Sequence, residues 1–394
     1  MKKALFLVVG IAFLLCLGTV YSYSVFRVPL EKTLGIKATQ SGLPYMLALF
    51  FYALFMPLTG RYLRRIEPRF VAMTGGTLMG IGWILASFFP SFPLVAFFYG
   101  VLGGIGVGIG YGVPLAVSAT WYPENPGFAL GTTVIGFGLS PLVTAPILRR
   151  LIDQFGPFLA LRVMGVVFLL VTVALSLFLR FPQGVTPTHH TPPPSQNSPT
   201  LLRHKNFWLL WFSFFVGTFV GLTAISITAP VAQEMIGISY ARSATFVSLF
   251  ALFNGLGRPL FGHLVDRRGF STTAILSFSL LLGALLLFII GRGSVISYTV
   301  SFLLLWMNLG AWLAIAPSST VKFFGRETYA QNYGLVFTAY GVSALSGTFV
   351  ASLLRDLTGS YLSIFFLSLF LVAGSLAIVL HARRRSTLEG GMGT

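Results

Sequence analysis

The sequence predicts an all-α membrane protein: about twelve transmembrane helices in two pseudo-symmetric six-helix bundles, with both termini cytoplasmic. Three observations lead there. Of 394 residues, 55% are hydrophobic and 9% charged, and mean hydropathy is +0.85, so charges are too few to solvate a globular surface of this size. Apolar runs of roughly 20 residues recur along the chain, each long enough at about 1.5 Å per residue to cross a hydrocarbon core of about 30 Å. The chain also repeats itself: Pro57-Leu58-Thr59-Gly60 matches Pro259-Leu260-Phe261-Gly262, Pro114 matches Pro317, and Phe137-Gly138 matches Tyr340-Gly341, all at nearly one offset.

Met1-Lys2-Lys3 before an apolar stretch has the look of a signal peptide, but the stretch runs past Tyr21 and many spans follow, which predicts a retained first helix. In the fourth span Gly104, Gly108 and Gly112 recur every four residues with Gly106 and Gly110 interleaved, a pattern that lets a neighbouring backbone approach closely. The run never satisfies G-x-G-x-x-G and no strand precedes it, so it is not a dinucleotide site. Pro182, Pro187, Pro192, Pro193, Pro194 and Pro199 interrupt the chain among polar residues and mark a linker. The expected organisation is a bundle over 1–180, a cytoplasmic linker over 181–205, a second bundle over 206–382 and a tail over 383–394.

The formal net charge of +17 does not gather on one soluble face, which argues against nucleic acid. Lys2, Lys3, Arg61 to Arg69, Arg180, Arg203, Lys205, Arg267, Arg268, Lys322, Arg326 and Arg383 to Arg385 fall on the side that the positive-inside rule assigns to the cytoplasm. A multi-pass protein of the cell membrane, acting as a monomer, is expected. The single Cys16 excludes an intramolecular disulfide and a thiolate metal cluster, and no cofactor or metal is expected.

Arg258, within Phe253-Asn254-Gly255-Leu256-Gly257-Arg258-Pro259, reads as the one full charge inside a span. An arginine near a helix centre costs at least about 2.5 to 3.5 kcal/mol on insertion scales, so it is expected to face a protein cavity and an anion. Its planar fork fits a carboxylate at two points. Asn254 lies one helical turn away, and a mid-span amide needs a partner in lipid. Tyr21, Tyr111, Trp312 and Phe337 are mid-span aromatic residues that would line the cavity.

Gly262-His263-Leu264-Val265-Asp266-Arg267-Arg268-Gly269 resembles the major facilitator superfamily signature G-x-L-x-D-R-x-G. That resemblance implies a conformational latch built from Gly262, Asp266, Arg267 and Gly269, in which the aspartate meets a helix N-terminus and basic neighbours. The first-half counterpart keeps Gly60 but has Arg64 where the aspartate belongs. Val20-Tyr21-Ser22-Tyr23-Ser24-Val25-Phe26, Gly110-Tyr111-Gly112-Val113-Pro114, Trp121-Tyr122-Pro123 and the stretch from Asn332 to Gly341 are similar to the oxalate/formate antiporter family. The related monocarboxylate transporters share the Arg-Pro pair. The resemblance implies that Arg258 binds a substrate carboxylate. It also places a lysine in the oxalate carriers where this chain has Tyr340. One buried cation balances a monoanion, so the departure favours lactate, pyruvate, formate or acetate over oxalate, with Tyr340 supplying a hydroxyl and a ring wall.

The acidic residues Glu31, Glu67, Glu124, Asp153, Glu234, Asp266, Glu327, Asp356 and Glu389 read as span ends or loops, and Asn254 stands where proton-coupled relatives carry an aspartate. Anion exchange is therefore the first expectation, with facilitated diffusion and proton-coupled monocarboxylate symport as alternatives and a proton-driven drug exporter as a more distant one. The fourth-span arginine and fifth-span Gly-Pro pair of proton-driven drug exporters are absent. An enzyme would need a nucleophile and base, or a metal cluster, within mutual reach, and the spans provide neither.

Overall fold

A computed structural model describes residues 2–63, 65–122, 126–182, 201–325 and 329–390. Among these the regular elements are helical. Arg64 and most of the Pro-rich linker lie outside the described residues.

Helix α1 (Lys2–Leu17) passes through a 3-10 turn at Gly18–Ser22 into α2 (Ser24–Leu34). Then come α3 (Ala38–Phe55), α4 (Pro68–Phe88) and α5 (Gly103–Trp121). Helix α6 runs Pro126–Ser176, α7 Lys205–Glu234 and α8 Tyr240–Ile290. The chain closes with α9 (Val295–Phe324), α10 (Tyr329–Thr358) and α11 (Leu362–Gly390). Ten helical segments are long and apolar enough to cross a bilayer. Such helices form because every backbone polar group is satisfied within the segment, the condition lipid imposes.

Two of the ten are too long for one crossing. Helices α6 and α8 have 51 residues each, and a straight helix of that length would extend about 76 Å, more than twice the hydrocarbon thickness. Both are broken by a glycine with backbone angles that other residues rarely adopt, Gly156 (φ 79, ψ 170) and Gly269 (φ 74, ψ 175). The sequence reading counts about twelve runs, and the described residues give ten segments, two of them long and broken at glycine.

Tight packing follows the small residues. A methyl group on Gly104 or Gly108 of α5 would lie 2.5 Å from the Ala48 carbonyl or 2.8 Å from the Tyr52 carbonyl, so α3 and α5 touch backbone to backbone. Helices of the two chain halves also meet, α8 against α6 and α10 against α3. These two contacts set the position of the central polar and aromatic groups.

The glycines of the α8 stretch separate into two kinds. Gly269→Ala is expected to destabilise the protein by about 1–3 kcal/mol, because alanine does not reach those angles without strain. Gly262→Ala places its methyl 3.6 Å from Ala314 Cβ, an ordinary contact, and is expected to leave stability within about 0.5 kcal/mol or raise it. Thermal unfolding in detergent, followed by fluorescence, distinguishes the two.

Candidate functional site

Asn254 and Arg258 lie four residues apart on α8 and so share one face. A methyl on Gly257 would sit 2.2 Å from the Met307 carbonyl, and one on Gly310 would sit 2.0 Å from the Asn254 carbonyl, so α8 and α9 pack without side chains between them. That proximity lets Asn254 Nδ2 donate to the Trp306 carbonyl at 3.1 Å, which fixes the amide with its oxygen toward Arg258. Arg258 Nη2 donates to Asn254 Oδ1 at 3.4 Å, and Nη1 donates across to the Val134 carbonyl on α6 at 2.9 Å. A methyl on Gly138 would come within 3.2 Å of Nε and Nη2, so the guanidinium lies directly over α6 where it has no side chain.

Arg258 is 5% exposed. Its contacts are neutral oxygens, and Nε is buried with no hydrogen-bond partner. The group neither points to lipid nor pairs with an acidic neighbour. It is enclosed in this conformation, where the sequence suggested a group facing a cavity and an anion.

Beside it the halves meet through aromatic rings. Tyr21 Oη and Tyr340 Oη are 2.8 Å apart. Tyr21 meets Phe137 edge-on at 5.1 Å, and Phe337 stacks on Tyr340 at 4.9 Å. Tyr52 touches Tyr111, Phe137, Phe337 and Tyr340 at centroid distances of 5.1 to 5.8 Å. Of the predicted site residues the structure thus brings together Arg258 with Asn254, and Tyr21, Tyr111, Phe337 and Tyr340 in one ring cluster. Tyr52 and Phe137 join them unforeseen. Phe137 carried a signal, since the repeat aligns it with Tyr340; nothing in the sequence distinguished Tyr52.

Trp312 does not join this group. Its ring occupies the space over Gly217, where a methyl would lie 2.1 Å away, and contacts Phe278 at 5.1 Å. It packs within the second half of the chain. The residues expected to form a latch lie at and before the break in α8, where Lys322 Nζ donates to the carbonyls of Val265 at 2.6 Å and Asp266 at 3.2 Å, and lies 3.9 Å from the Asp266 carboxylate. Asp266 therefore has a basic neighbour, supplied by the end of α9, while Gly262 and Arg267 lie along the same helix and Gly269 forms its break.

One reading needs correction. Arg258 is not the one arginine enclosed by the protein, because Arg27 is 0% exposed. Arg27 follows Tyr21 by six residues, about 9 Å along a helix, and reads as a span end. It is buried because α2 continues beyond the first span and other helices close around it. All its hydrogen bonds go to neutral oxygens: Ser41 Oγ, the Ser226 and Ala38 carbonyls, and Ser352 Oγ. Unlike Arg258, it has no nitrogen left over.

The Tyr21–Tyr340 contact makes an unusual prediction about stability. Either single change to Phe strands one buried hydroxyl and is expected to cost about 1–3 kcal/mol, whereas the double change removes both polar groups and is expected to be milder than either single one. Thermal melts of the three variants test this, and additive losses would contradict it.

The Major Facilitator Superfamily pattern matches residues 8–348. The chain is 28% identical over 340 residues to the oxalate:formate antiporter of Oxalobacter formigenes, covering 85% of this chain and 81% of that protein. It is 25% identical over 359 residues to monocarboxylate transporter 12-B of Danio rerio, covering 81% of this chain and 75% of the other. In fold it is similar to a bacterial homologue of the human lysosomal transporter Spinster, solved in an inward-facing, occupied conformation, with TM-score 0.77, 15% identity and 97% of each chain covered. These relatives and this fold point to a transporter and not an enzyme. With its helical spans, its α8 signature and a match over most of its length, the chain belongs to the major facilitator superfamily.

Proposed function

We propose that this protein moves a small monocarboxylate across the cell membrane by alternating access, most simply by anion exchange. The observation that carries the reading is Arg258: a buried guanidinium with neutral partners and an unpaired Nε. A carboxylate would satisfy both its charge and its free donor. In this reading α6 and α8 each cross twice, which makes twelve crossings, and the basic loops place both termini in the cytoplasm. The units are those expected from the repeat, 1–180 and 206–382, joined by 181–205 and followed by a tail.

Two features narrow the substrate. Arg27 has every guanidinium nitrogen bonded to protein oxygens and so offers no free donor to the second carboxylate of a dianion. The groups nearest Arg258 on the other side are rings and phenol hydroxyls, which suit one carboxylate with a short tail. Among the relatives, the names oxalate:formate antiporter and monocarboxylate transporter are in keeping with this class of cargo. An empty Arg258 lacks its counter-charge, so reorientation with anion bound is favoured over reorientation without it, which is the physical basis of exchange.

Uptake of labelled lactate, formate and oxalate into proteoliposomes tests the reading. Preloading with unlabelled monocarboxylate is expected to accelerate uptake of lactate or formate, and oxalate is expected to be poor. Arg258→Lys keeps the charge but loses the two-point fork; an approximately tenfold fall in apparent affinity corresponds to about 1.4 kcal/mol. Equal rates with and without internal anion would contradict exchange. No uptake of any carboxylate would overturn the substrate class and favour the drug-export alternative.

A further inference from the structure

At the end of the molecule remote from the basic loops, the two halves are joined by ionisable groups that the anion site does not use. Arg27 of α2 reaches Ser226 on α7 and Ser352 on α10, while also holding Ala38 and Ser41 of α3. Asp356 of α10 accepts from the backbone N–H groups of Ala38 at 3.1 Å and Thr39 at 3.0 Å, and from the Thr39 hydroxyl, so it caps α3 from the opposite half. Arg355 pairs with Glu234 at 2.6 Å. Tyr240 Oη donates to the Val25 carbonyl at 3.3 Å. These bonds close this face.

Glu31 sits inside the closure, one helical turn after Arg27. Its carboxylate accepts from the Ser41 hydroxyl, whose oxygen in turn accepts from Arg27 Nε. The cluster sets two guanidiniums, Arg27 and Arg355, against three carboxylates, Glu31, Glu234 and Asp356. Glu234 has Arg355, and Asp356 has a helix N-terminus. Among the described residues Glu31 has no cation within ion-pairing distance, since the guanidinium of Arg27 is spent on neutral oxygens. Of the three carboxylates in this cluster it is the one with neither a guanidinium nor a helix N-terminus of its own.

We propose that Glu31 is a proton-binding site which couples closure of this face to protonation: the face shuts on the neutral acid and opens on the carboxylate. The inference rests on the alternating-access reading above, but not on the identity of the anion. The groups facing Glu31 are Arg27 on its own helix, Ser41 and the Tyr23 phenol that bonds to it, Glu234 from α7, and Arg355 with Tyr361 from the α10 end. Burial pushes the Glu31 carboxyl above its ordinary value; Arg27, the Ser41 bond and Arg355 pull it down, while Glu234 pushes it up. The sign follows. The closed form holds the proton more tightly, so acid favours closure, and opening hydrates the carboxyl and releases the proton. The carrier thereby acquires a response to pH without a carboxylate next to Arg258.

The test needs no substrate. With Cys16 replaced by alanine, nitroxide labels at Thr33→Cys and Arg292→Cys, both exposed, report the separation of the halves by pulsed electron resonance in lipid nanodiscs between pH 8 and pH 5. The short-distance population is expected to grow as pH falls in the otherwise unchanged protein, and to dominate at both pH values in Glu31→Gln. Ser41→Ala removes a bond that favours the ionised form, so its midpoint is expected to move to higher pH. Absence of a pH response in the parent, persistence of the parental response in Glu31→Gln, or an unmoved midpoint in Ser41→Ala would each overturn the proposal. A pH response together with absent carboxylate uptake would sink the anion reading and leave this one standing.

Discussion

A guanidinium enclosed by protein, with no carboxylate against it, is the constraint around which the centre of this molecule is arranged. Removing an ion from water costs on the order of several kcal/mol, and neutral hydrogen bonds recover part of that but leave the net charge uncompensated. At Arg258 the recovery is itself incomplete. One nitrogen bonds to the Val134 carbonyl, one makes a long bond to Asn254, and Nε bonds to nothing. Among the described residues no counter-charge stands against it.

Arg27 presents the same group with the opposite solution. Its nitrogens bond to serine hydroxyls and backbone carbonyls drawn from α3, α7 and α10, so its surroundings are complete without a ligand. The contrast assigns the two arginines to different work. The saturated guanidinium fastens helices; the other keeps an unbonded donor. Both bridge the two halves of the chain, which makes the relative position of those halves sensitive to what each arginine contacts.

The rings between them serve geometry as much as affinity. Edge-on and offset aromatic pairs contribute about 0.5–1.5 kcal/mol each beyond their buried area, and Tyr52 alone meets four neighbours. Because Tyr21, Tyr52, Tyr111 and Phe137 come from the first half and Phe337 and Tyr340 from the second, those contacts must be remade whenever the halves move. The Tyr21–Tyr340 hydroxyl contact places a polar pair of that ring group at the seam, near the charge of Arg258. Glycines make the arrangement possible, since α8 and α9 approach closely enough for the Asn254 amide to reach the Trp306 carbonyl.

Local physics made much of this protein legible from its sequence. Apolar length identifies spans because lipid admits few alternatives, the repeated prolines and glycines align Phe137 with Tyr340, and four-residue spacing alone puts Asn254 beside Arg258. Chain distance hid the rest. Nothing near Tyr52 announces the rings it meets, Trp312 looks identical in sequence whether it lines a cavity or fills the space over Gly217, and Arg27 reads as a span end until α3, α7 and α10 enclose it. A side chain's periodicity fixes which face it occupies, whereas burial, partner and charge balance depend on which remote helix covers that face, and only the tertiary structure decides that.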